Sequence, residues 1–408
     1  MAGVILPDRS AAVINPAYAA SGFEGAANSV PLPIGLINVV SRDVLLPGGE
    51  SFDILPLIDQ ASYLNTLIFN LPSSPEEFVI TVRNDGSGNP IYTVSEEGDL
   101  SLLGRTVGFG TAFTLPFHFA AGPVRVGVRP YLYTDMVASP DADLQNLLVS
   151  GASEGTLSLE AQAEAGIAVD VFYASKLPDA LFEASDFEGE VYVGVRAAPF
   201  LGLARADGTA RATVNGTVDD ADFSYEGEGF VSVIGSGGFG FGLETDVGFA
   251  TSVPLEDGTA SFGLSLSNIG LGFWQGSSYT FTGDLESGFE DSVSAPTDDA
   301  KTLFSPHWGV HANGAYAFQA APFLPMLVAA DLSYQGGIKT HLGAEAVFAV
   351  AEGTGLAARA GIGYDRGFMV GLGTGLALAD ISIDLALTAH TAPFSDHQSF
   401  GLSASVGF

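Results

Sequence analysis

The stretch LSLEAQAEAGIAVDVF (157–172) alternates apolar and polar residues almost without interruption. Its odd-numbered residues are Leu, Ala, Ile and Val, whereas its even-numbered residues include Glu160, Glu164 and Asp170. Successive side chains of a β-strand point to opposite faces, so one face of this strand is aliphatic and the other carries charge. A barrel wall between lipid and a polar lumen requires this pattern, and a strand buried in a soluble core does not.

The same alternation recurs along most of the chain after about residue 100. It is weakest over 207–237 and 270–283. Counting the alternating segments predicts an all-β fold, a transmembrane antiparallel β-barrel of about 14 strands (12–16) over residues 101–408. The clearest predicted strands are 123–133, 157–172, 190–203, 238–249, 339–350, 355–364, 367–379, 380–391 and 398–408.

The composition supports a membrane location but excludes membrane-spanning helices. Only 15% of the 408 residues are charged, against about 25% in a typical soluble domain. A spanning helix needs about 20 consecutive apolar residues. The longest apolar runs, PLPIGLINVV (31–40) and AAPFLPMLVAA (320–330), are shorter and interrupted by proline. A closed barrel is the remaining way to satisfy every backbone group within lipid.

The charge balance and the absence of cysteine limit the partners. There are 47 acidic and 14 basic residues, giving a net charge of −33, so a nucleic-acid partner is not expected. Without cysteine the chain forms no disulfide, thiolate metal site or thiol nucleophile. We expect the lipid around the barrel as a partner, and no cofactor.

Residues 1–100 differ from the remainder of the chain. They contain many prolines and little sustained alternation, so they are predicted to form a plug or cap region. Residues 1–40 are too apolar to lie in water and too short and proline-broken to span lipid, so we expect them inside the barrel. The first residues lack a basic segment followed by a long apolar core, which predicts a mature, exported form without its signal peptide.

The segment SFGLSASVGF (399–408) alternates up to an aromatic residue. It resembles the C-terminal strand of bacterial outer-membrane barrels. The resemblance implies a location in the bacterial outer membrane and recognition by the barrel-assembly machinery, with Phe400 and Phe408 as the assembly signal.

Three further segments resemble the FadL-like superfamily, the long-chain fatty-acid transporter barrels and their PorV-like relatives. They are Asn15-Pro16-Ala17 in AAVINPAYAA (11–20), FGLSLSNIGLGFW (262–274), and the last hairpins from HLGAEAVF (341–348) onward. The resemblance implies that the Asn15 segment plugs the lumen and that Asn15 hydrogen-bonds to strand groups. A simple Asn-Pro turn is the alternative.

The superfamily resemblance implies a channel for uptake of hydrophobic or amphipathic small molecules. The alternative is a non-transporting envelope barrel, a structural or secretion/surface-attachment partner of other envelope proteins. By strand parity, the aromatic side chains that could line a ligand pocket in the lumen are Phe172, Tyr192 and Phe200.

Strand parity also predicts an acidic lumen. If Ala351-Glu352-Gly353 is a hairpin loop, Glu345 lies opposite Arg359 and the two form a cross-strand ion pair. The predicted lumen charges are Arg125, Arg129, Glu160, Glu164, Arg196, Glu345 and Arg359, together with Asp170, Glu190, Glu244, Asp246, Asp331 and Asp384.

No residue pattern points firmly to catalysis or to a metal. His307 and His311 lie four apart, but in a strand pattern. His390, Ser395, Asp396 and His397 could serve a hydrolase, yet the sequence does not place them in register. DGSGN (85–89) lacks the distal Glu of a calcium loop, and the aspartates at 219, 220 and 222 are typical of a solvated loop. We therefore predict no enzymatic activity and no metal site, with a hydrolase as the least favoured function.

Overall fold

The computed structural model describes residues 4–20, 23, 29–34, 51–53, 66–68, 79–84, 90–95, 107–115, 117–121, 123–141, 154–182, 187–217, 220–284, 293–305, 307–335, 337–351, 353–365, 367–378, 381–391 and 398–408. Short 3₁₀ helices span Arg9–Val13, Pro16–Ala19 and Asp179–Leu181. The strands in the described residues are β1 (Ser29–Pro31), β2 (Ser51–Asp53), β3 (Thr66–Ile68), β4 (Val79–Asn84), β5 (Pro90–Ser95), β6 (Val107–Thr114), β7 (Phe117–Ala121), β8 (Val124–Pro140), β9 (Glu154–Lys176), β10 (Glu190–Thr217), β11 (Asp220–Val233), β12 (Phe239–Leu255), β13 (Gly258–Asp284), β14 (Thr297–Phe304), β15 (Gly309–Ala321), β16 (Leu324–Tyr334), β17 (Ile338–Ala351), β18 (Thr354–Asp365), β19 (Phe368–Leu378), β20 (Ile381–Thr391) and β21 (Gln398–Gly407).

Strands β6–β21 form one antiparallel wall in which most strands pair with the strands before and after them in the chain. Three pairs of strands lie end to end and share one neighbour: β6 and β7 along β8, β11 and β12 along β10, and β14 and β15 along β13. β1 and β3 occupy the edge of β21 that β20 leaves open. In the described residues, β6–β21 occupy thirteen strand positions, within the predicted 12–16, and β1 and β3 of the N-terminal region add a fourteenth. The expectation that residues 1–40 lie inside the barrel is wrong for Ser29–Pro31, because this segment pairs with the open edge of β21 and belongs to the wall.

The N-terminal region contributes less regular structure. β2, β4 and β5 form a separate three-stranded sheet. The predicted boundary at residue 101 and the extent of a cap within 1–100 fall largely outside the described residues. The turn predicted at 85–89 also lies outside them.

Alternating burial along the strands shows which face is lipid-facing. On β10, Val193, Val195 and Leu201 are 37–49% exposed, whereas Arg196 is 2% exposed. Large apolar side chains point outward on β9, β12 and β17–β21 as well. The fold is therefore an all-β transmembrane barrel of the outer-membrane type, with an apolar outer surface and a polar interior. No helix in the described part of the chain is long and apolar enough to span a membrane.

The two ends of the barrel differ in their connections. At the short-turn end, most connections between strands are two residues long: 122–123, 256–257, 322–323, 352–353 and 379–380. The connection 177–189 at the same end is longer. At the long-loop end lie the longer connections 141–153, 285–296 and 392–397, together with the short connections 218–219, 335–337 and 366–367. β10 runs from the short-turn end to the long-loop end, so its residue numbers give the depth of a site in the lumen.

Several strands extend well beyond the thickness of a membrane at the long-loop end. β10 has 28 residues and β13 has 27, whereas about 9–11 tilted residues span a bilayer. In the second half of β10 the inward-facing Thr209 and Arg211 are exposed to water, and the outer face carries Ala206 and Gly208. Where both faces of this extension meet water, the strands need no aliphatic face, which explains the weak alternation over much of 207–237 and 270–283. Leu271, at the start of the second range, still faces the lipid.

The lipid-facing assignment predicts a position-dependent cost of charge on β10. Val195→Arg, whose side chain is exposed on the apolar outer surface, should cost about 2–4 kcal/mol of folding free energy. Thr209→Arg, on the same strand beyond the lipid, should cost little. Reversible urea titration in lipid vesicles measures both, and equal costs would contradict the assignment.

Candidate functional site

Residues 4–20, here called the plug, lie inside the lumen near the short-turn end. Asn15 begins the Pro16–Ala19 helix, and its Oδ1 accepts a hydrogen bond of 3.1 Å from Ala17 N. Asn15 Nδ2 donates to Phe249 O of β12 at 3.0 Å. Tyr18 Oη donates to Asn313 Oδ1 of β15 at 2.6 Å. The Asn15 segment is therefore fixed to the wall through side-chain amides and a hydroxyl, and it is not a simple turn.

The beginning of the plug is fixed to the same residue of β15 and to the adjacent strand β16. Ile5 N donates to Asp331 Oδ2 at 2.8 Å, and Asn313 Nδ2 donates to Ile5 O at 3.1 Å. His341 Nδ1 lies 2.8 Å from the other oxygen of Asp331. The plug is therefore hydrogen-bonded to β12, β15 and β16, which lie in one part of the wall.

Three glycines of the wall make room for the plug, and we call Gly194, Gly248 and Gly263 the glycine seat. A Cβ on Gly194 would lie 2.3 Å from the carbonyl carbon of Pro16. On Gly248 it would lie 2.0 Å from Asn15 Oδ1, and on Gly263 1.9 Å from the Tyr18 hydroxyl. Since Gly194 and Gly248 are cross-strand partners, the seat is one continuous depression. Only residues without a side chain allow the plug to approach this closely.

Next to the plug, toward the long-loop end, lies a central charge cluster. It consists of Arg129, Asp170, Arg196, Glu244 and Asp246. Arg196 Nη1 lies 3.1 Å from Asp170 Oδ1, and its Nε lies 2.6 Å from Asp246 Oδ2. Arg129 Nε lies 3.1 Å from Asp170 and its Nη2 3.3 Å from Glu244. Each of the five is at most 7% exposed, so the cluster crosses the lumen as a buried network.

A β-bulge completes this cluster. β13 gains one residue relative to β12 between the partners of Thr245 and Val247. At this point Asn268 has a φ of 55°, a left-handed conformation that Asn tolerates better than most residues. Its backbone N–H donates to Asp246 Oδ1 at 2.6 Å, and its Oδ1 accepts from Arg196 Nη2 at 2.7 Å. The Asn of the segment FGLSLSNIGLGFW is therefore part of the buried network.

An aromatic layer lies above the cluster, toward the long-loop end. Trp274 is 1% exposed and packs flat against Gly202 and Gly240, where a Cβ would lie 2.0 and 2.3 Å from its ring atoms. Arg205 lies over the Trp274 ring at 5.5 Å and its Nη1 lies 2.6 Å from Glu164 Oε2. This layer is mixed, since aromatic faces and one buried ion pair share the same space.

The wall is interrupted beside the aromatic layer. β13 pairs with β14 as far as Leu271↔Phe304 and resumes pairing with β15 only at Ser267↔Gly309. We call residues 305–308 the wall break. Ser305 within it is buried, and its Oγ donates to Glu244 Oε1 at 3.3 Å. Ser305 N still donates to Gly270 O at 2.9 Å, and Asn268 Nδ2 donates to His307 O at 3.1 Å. Phe304 and Trp308 on either side face the lipid.

A small cavity lies beside this break. It holds about 10 Å³, space for one water molecule. Its lining includes the lumen residues Trp274, Phe200 and Glu244, and also Leu271 and Phe304, which are exposed on the outer surface.

The predicted register of the last hairpins is confirmed. Glu345 and Arg359 are cross-strand partners, and Arg359 donates to Glu345 and to Asp384. Among the other predicted lumen charges, Glu164 pairs with Arg205. Glu160 and Glu190 are exposed near opposite ends of the barrel. Arg125 is 5% exposed and stands apart from the central charge cluster.

The three predicted pocket aromatics point inward but do not share a pocket in the described residues. Phe172 packs edge-on against His118, with ring centroids 5.0 Å apart. Tyr192 packs against Phe23 of the N-terminal region at 5.0 Å. Phe200 packs against Trp274 at 6.2 Å and is the one that lines the cavity.

Sequence reasoning missed Arg205, which contributes as much to the lumen as Arg196. The two have opposite parity on β10, and simple alternation therefore places Arg205 outside. A β-bulge between Gly202 and Ala204 inserts one residue and reverses the parity. The signal in the sequence is Gly202, because a glycine inside a strand pattern often marks a bulge. His118, 3.1 Å from Asp170, was missed because β7 is too short to show alternation.

The residues considered for metal binding or hydrolysis are not brought together. His307 stacks on Tyr133 at 4.2 Å, and His311 Nε2 lies 2.9 Å from Ser267 Oγ. Within the described part of the chain, no three His, Asp or Glu side chains are grouped as metal ligands. Ser395, Asp396, His397 and the His390 side chain lie outside the described residues, as does Asp219; of Asp220 and Asp222 only the backbone, in β11, is described.

No protein-family model matches the chain, and no curated protein matches it in sequence. Among solved structures, it is similar to the toluene transporter TbuX of Ralstonia pickettii, at 8% identity and a TM-score of 0.32, over 74% of this chain and 88% of that one. The translocator domain of the autotransporter NalP from Neisseria meningitidis aligns at 8% identity and a TM-score of 0.21, over 74% of this chain and 87% of that one. CdiB from Acinetobacter baumannii aligns at 9% identity and a TM-score of 0.26, over 81% of this chain and 65% of that one. These scores support no inference about function.

The glycine seat predicts that small side chains there release the plug. Gly248→Ala should speed amide hydrogen exchange of residues 4–20 by about tenfold or more, because the added methyl displaces Asn15. Gly208→Ala, where the nearest atom would be 3.7 Å away, should leave exchange unchanged. Mass-spectrometric exchange in detergent measures both, and equal protection in the two variants would refute the role of the seat.

The central charge cluster predicts a large penalty for removing one cation. Arg196→Ala should destabilise the barrel by about 3–5 kcal/mol, because it leaves Asp170 and Asp246 buried without their partner. Arg211→Ala, at an exposed position of the same strand, should change stability little. Urea unfolding in detergent measures the stability of both variants. Similar unfolding midpoints would show that the cluster does not stabilise the fold.

Proposed function

We propose that this chain is a bacterial outer-membrane channel for uptake of hydrophobic or amphipathic small molecules, as the resemblance to the FadL-like superfamily implies. The apolar outer surface fits an outer-membrane location, where barrels have short periplasmic turns and longer extracellular loops. The short-turn end then faces the periplasm. The extended strands face the cell exterior, and a molecule enters from that end.

The wall break is the observation that carries the proposal. It lies directly beside Trp274 and Phe200, the aromatic side chains that an apolar molecule entering from the long-loop end would meet. On its outer side the break is bordered by Phe304 and Leu271, which are 51% and 59% exposed to lipid. A modest outward movement of residues 305–308 would join an apolar site in the lumen to the apolar phase of the membrane.

The arrangement below the break favours a lateral route over a direct one. A molecule moving straight toward the periplasm would have to separate the central charge cluster and then displace the plug. Separating buried ion pairs leaves uncompensated charges and costs several kcal/mol. An apolar molecule offers those charges no replacement, so exit through the wall is energetically easier.

The proposal can be tested by fixing the edge of the break with a disulfide. Leu271 and Phe304 are cross-strand partners, and the chain contains no native cysteine to interfere. Oxidised Leu271→Cys/Phe304→Cys should take up an apolar fluorescent naphthylamine roughly fivefold more slowly than its reduced form, because the last paired position can no longer separate. Uptake is measured in outer-membrane vesicles that carry lipopolysaccharide.

The matched control is Leu342→Cys/Ile362→Cys, another lipid-facing cross-strand pair in an uninterrupted part of the wall. Its oxidised and reduced forms should transport equally. If the pair at the break also shows equal rates, the channel proposal fails.

The alternative, a surface-attachment or secretion partner, is favoured by a different observation. The extension of β9–β11 and β13 beyond the lipid presents exposed, acidic residues, including Glu226 and Glu228, to the exterior. Equal uptake in all four samples, together with capture of an envelope protein by this extension, would favour that function.

A further inference from the structure

Arg125 is the second residue of β8, next to the two-residue turn at the short-turn end. Its cross-strand partner on β9 is Phe172, which is completely buried, so both side chains face the lumen. The Arg125 residue itself is 5% exposed. A guanidinium is therefore held away from bulk water at the mouth of the barrel.

This guanidinium differs from the other buried ones in having no carboxylate partner among the described residues. Arg129, Arg196 and Arg205 each have a carboxylate oxygen within 3.1 Å. Arg125 Nη1 is buried and makes no hydrogen bond. In a chain with 47 acidic and 14 basic residues, a buried cation without an acid is unexpected. A buried charge is normally paired or hydrogen-bonded.

Among the described residues, the charged group that acts on Arg125 is a second cation. Arg9, in the first 3₁₀ helix of the plug, lies close enough for the two positive charges to repel each other. One guanidinium belongs to the wall and the other to the plug. A negative group between them would convert a repulsion into a bridge that holds the plug in place.

We propose that Arg125, assisted by the positive field of Arg9, forms a binding site for a small oxyanion, a phosphate or a carboxylate. The guanidinium offers planar, paired N–H donors that match two oxygens of such an anion. Because the site lies beside a turn, the anion reaches it from water at the short-turn end. The inference does not depend on the direction or substrate of transport.

Binding should also stabilise the plug, since the anion contacts a residue of the plug and a residue of the wall. The bound state would protect residues 4–20 from exchange more strongly than the anion-free state. Anion concentration would then regulate how firmly the lumen is closed.

The experiment titrates the full chain in detergent with acetate and, separately, inorganic phosphate, using chloride at matched ionic strength as the salt control. Binding is followed by ligand NMR line broadening and by hydrogen exchange of residues 4–20. Arg125→Gln should weaken binding about tenfold or more and abolish the added protection, since it removes a charge-assisted hydrogen bond. Arg211→Gln, at the exposed opposite end, should bind like the wild type.

Arg125→Lys keeps the charge and tests for a folding defect, and it should retain measurable anion binding. Repeating the exchange measurement in nanodiscs with and without phosphatidylglycerol, without free anion, distinguishes a lipid headgroup from a soluble anion as the source. Absence of binding by the wild type, or equal binding by the wild type and Arg125→Gln, would overturn the proposal. Neither result would affect the disulfide test of the wall break.

Discussion

The structure depends on one constraint, which is that charges inside a lumen shielded from water must be paired. The wall is amphipathic because lipid lies on one side of it, so the strands necessarily direct their polar residues inward. Where the lumen is narrow and filled, those residues lose water and must find one another. The central charge cluster solves this with two arginines and three carboxylates from four strands, and a bulged Asn268 supplies the remaining donors and acceptors.

This constraint also explains the order of the layers along β10. Near the short-turn end, Gly194 has no side chain and so leaves room for the plug. Two residues further along the strand, Arg196 belongs to the central charge cluster. Gly202 then yields its space to Trp274, and Arg205 balances Glu164. On this one strand, glycines against which the plug and Trp274 pack therefore alternate with arginines that form ion pairs to neighbouring strands.

The architecture could be predicted from the sequence because lipid imposes a period of two on every strand within the membrane. The strands of residues 101–408 and the Glu345–Arg359 register follow from that period and from short hairpin loops, whereas the wall position of β1 and β3 does not. The prediction failed where the period is interrupted or absent. The bulge after Gly202 reverses parity and conceals Arg205, and the strand extensions outside the lipid have water on both faces. A pocket shared by Phe172, Tyr192 and Phe200 could not be judged from parity, because parity gives the face of a residue and not its depth.

The positions of the two tryptophans give the wall break an optical signature. The chain has two, of which Trp274 is 1% exposed inside the lumen and Trp308 is 38% exposed on the lipid side of the break. Quenchers attached to lipid tails would reach Trp308 and leave Trp274 bright, so emission from a single sample separates the two faces of the wall. Any opening of residues 305–308 toward the membrane would bring lipid quenchers to Trp274. Quenching of Trp274 fluorescence would therefore detect the opening without an added label.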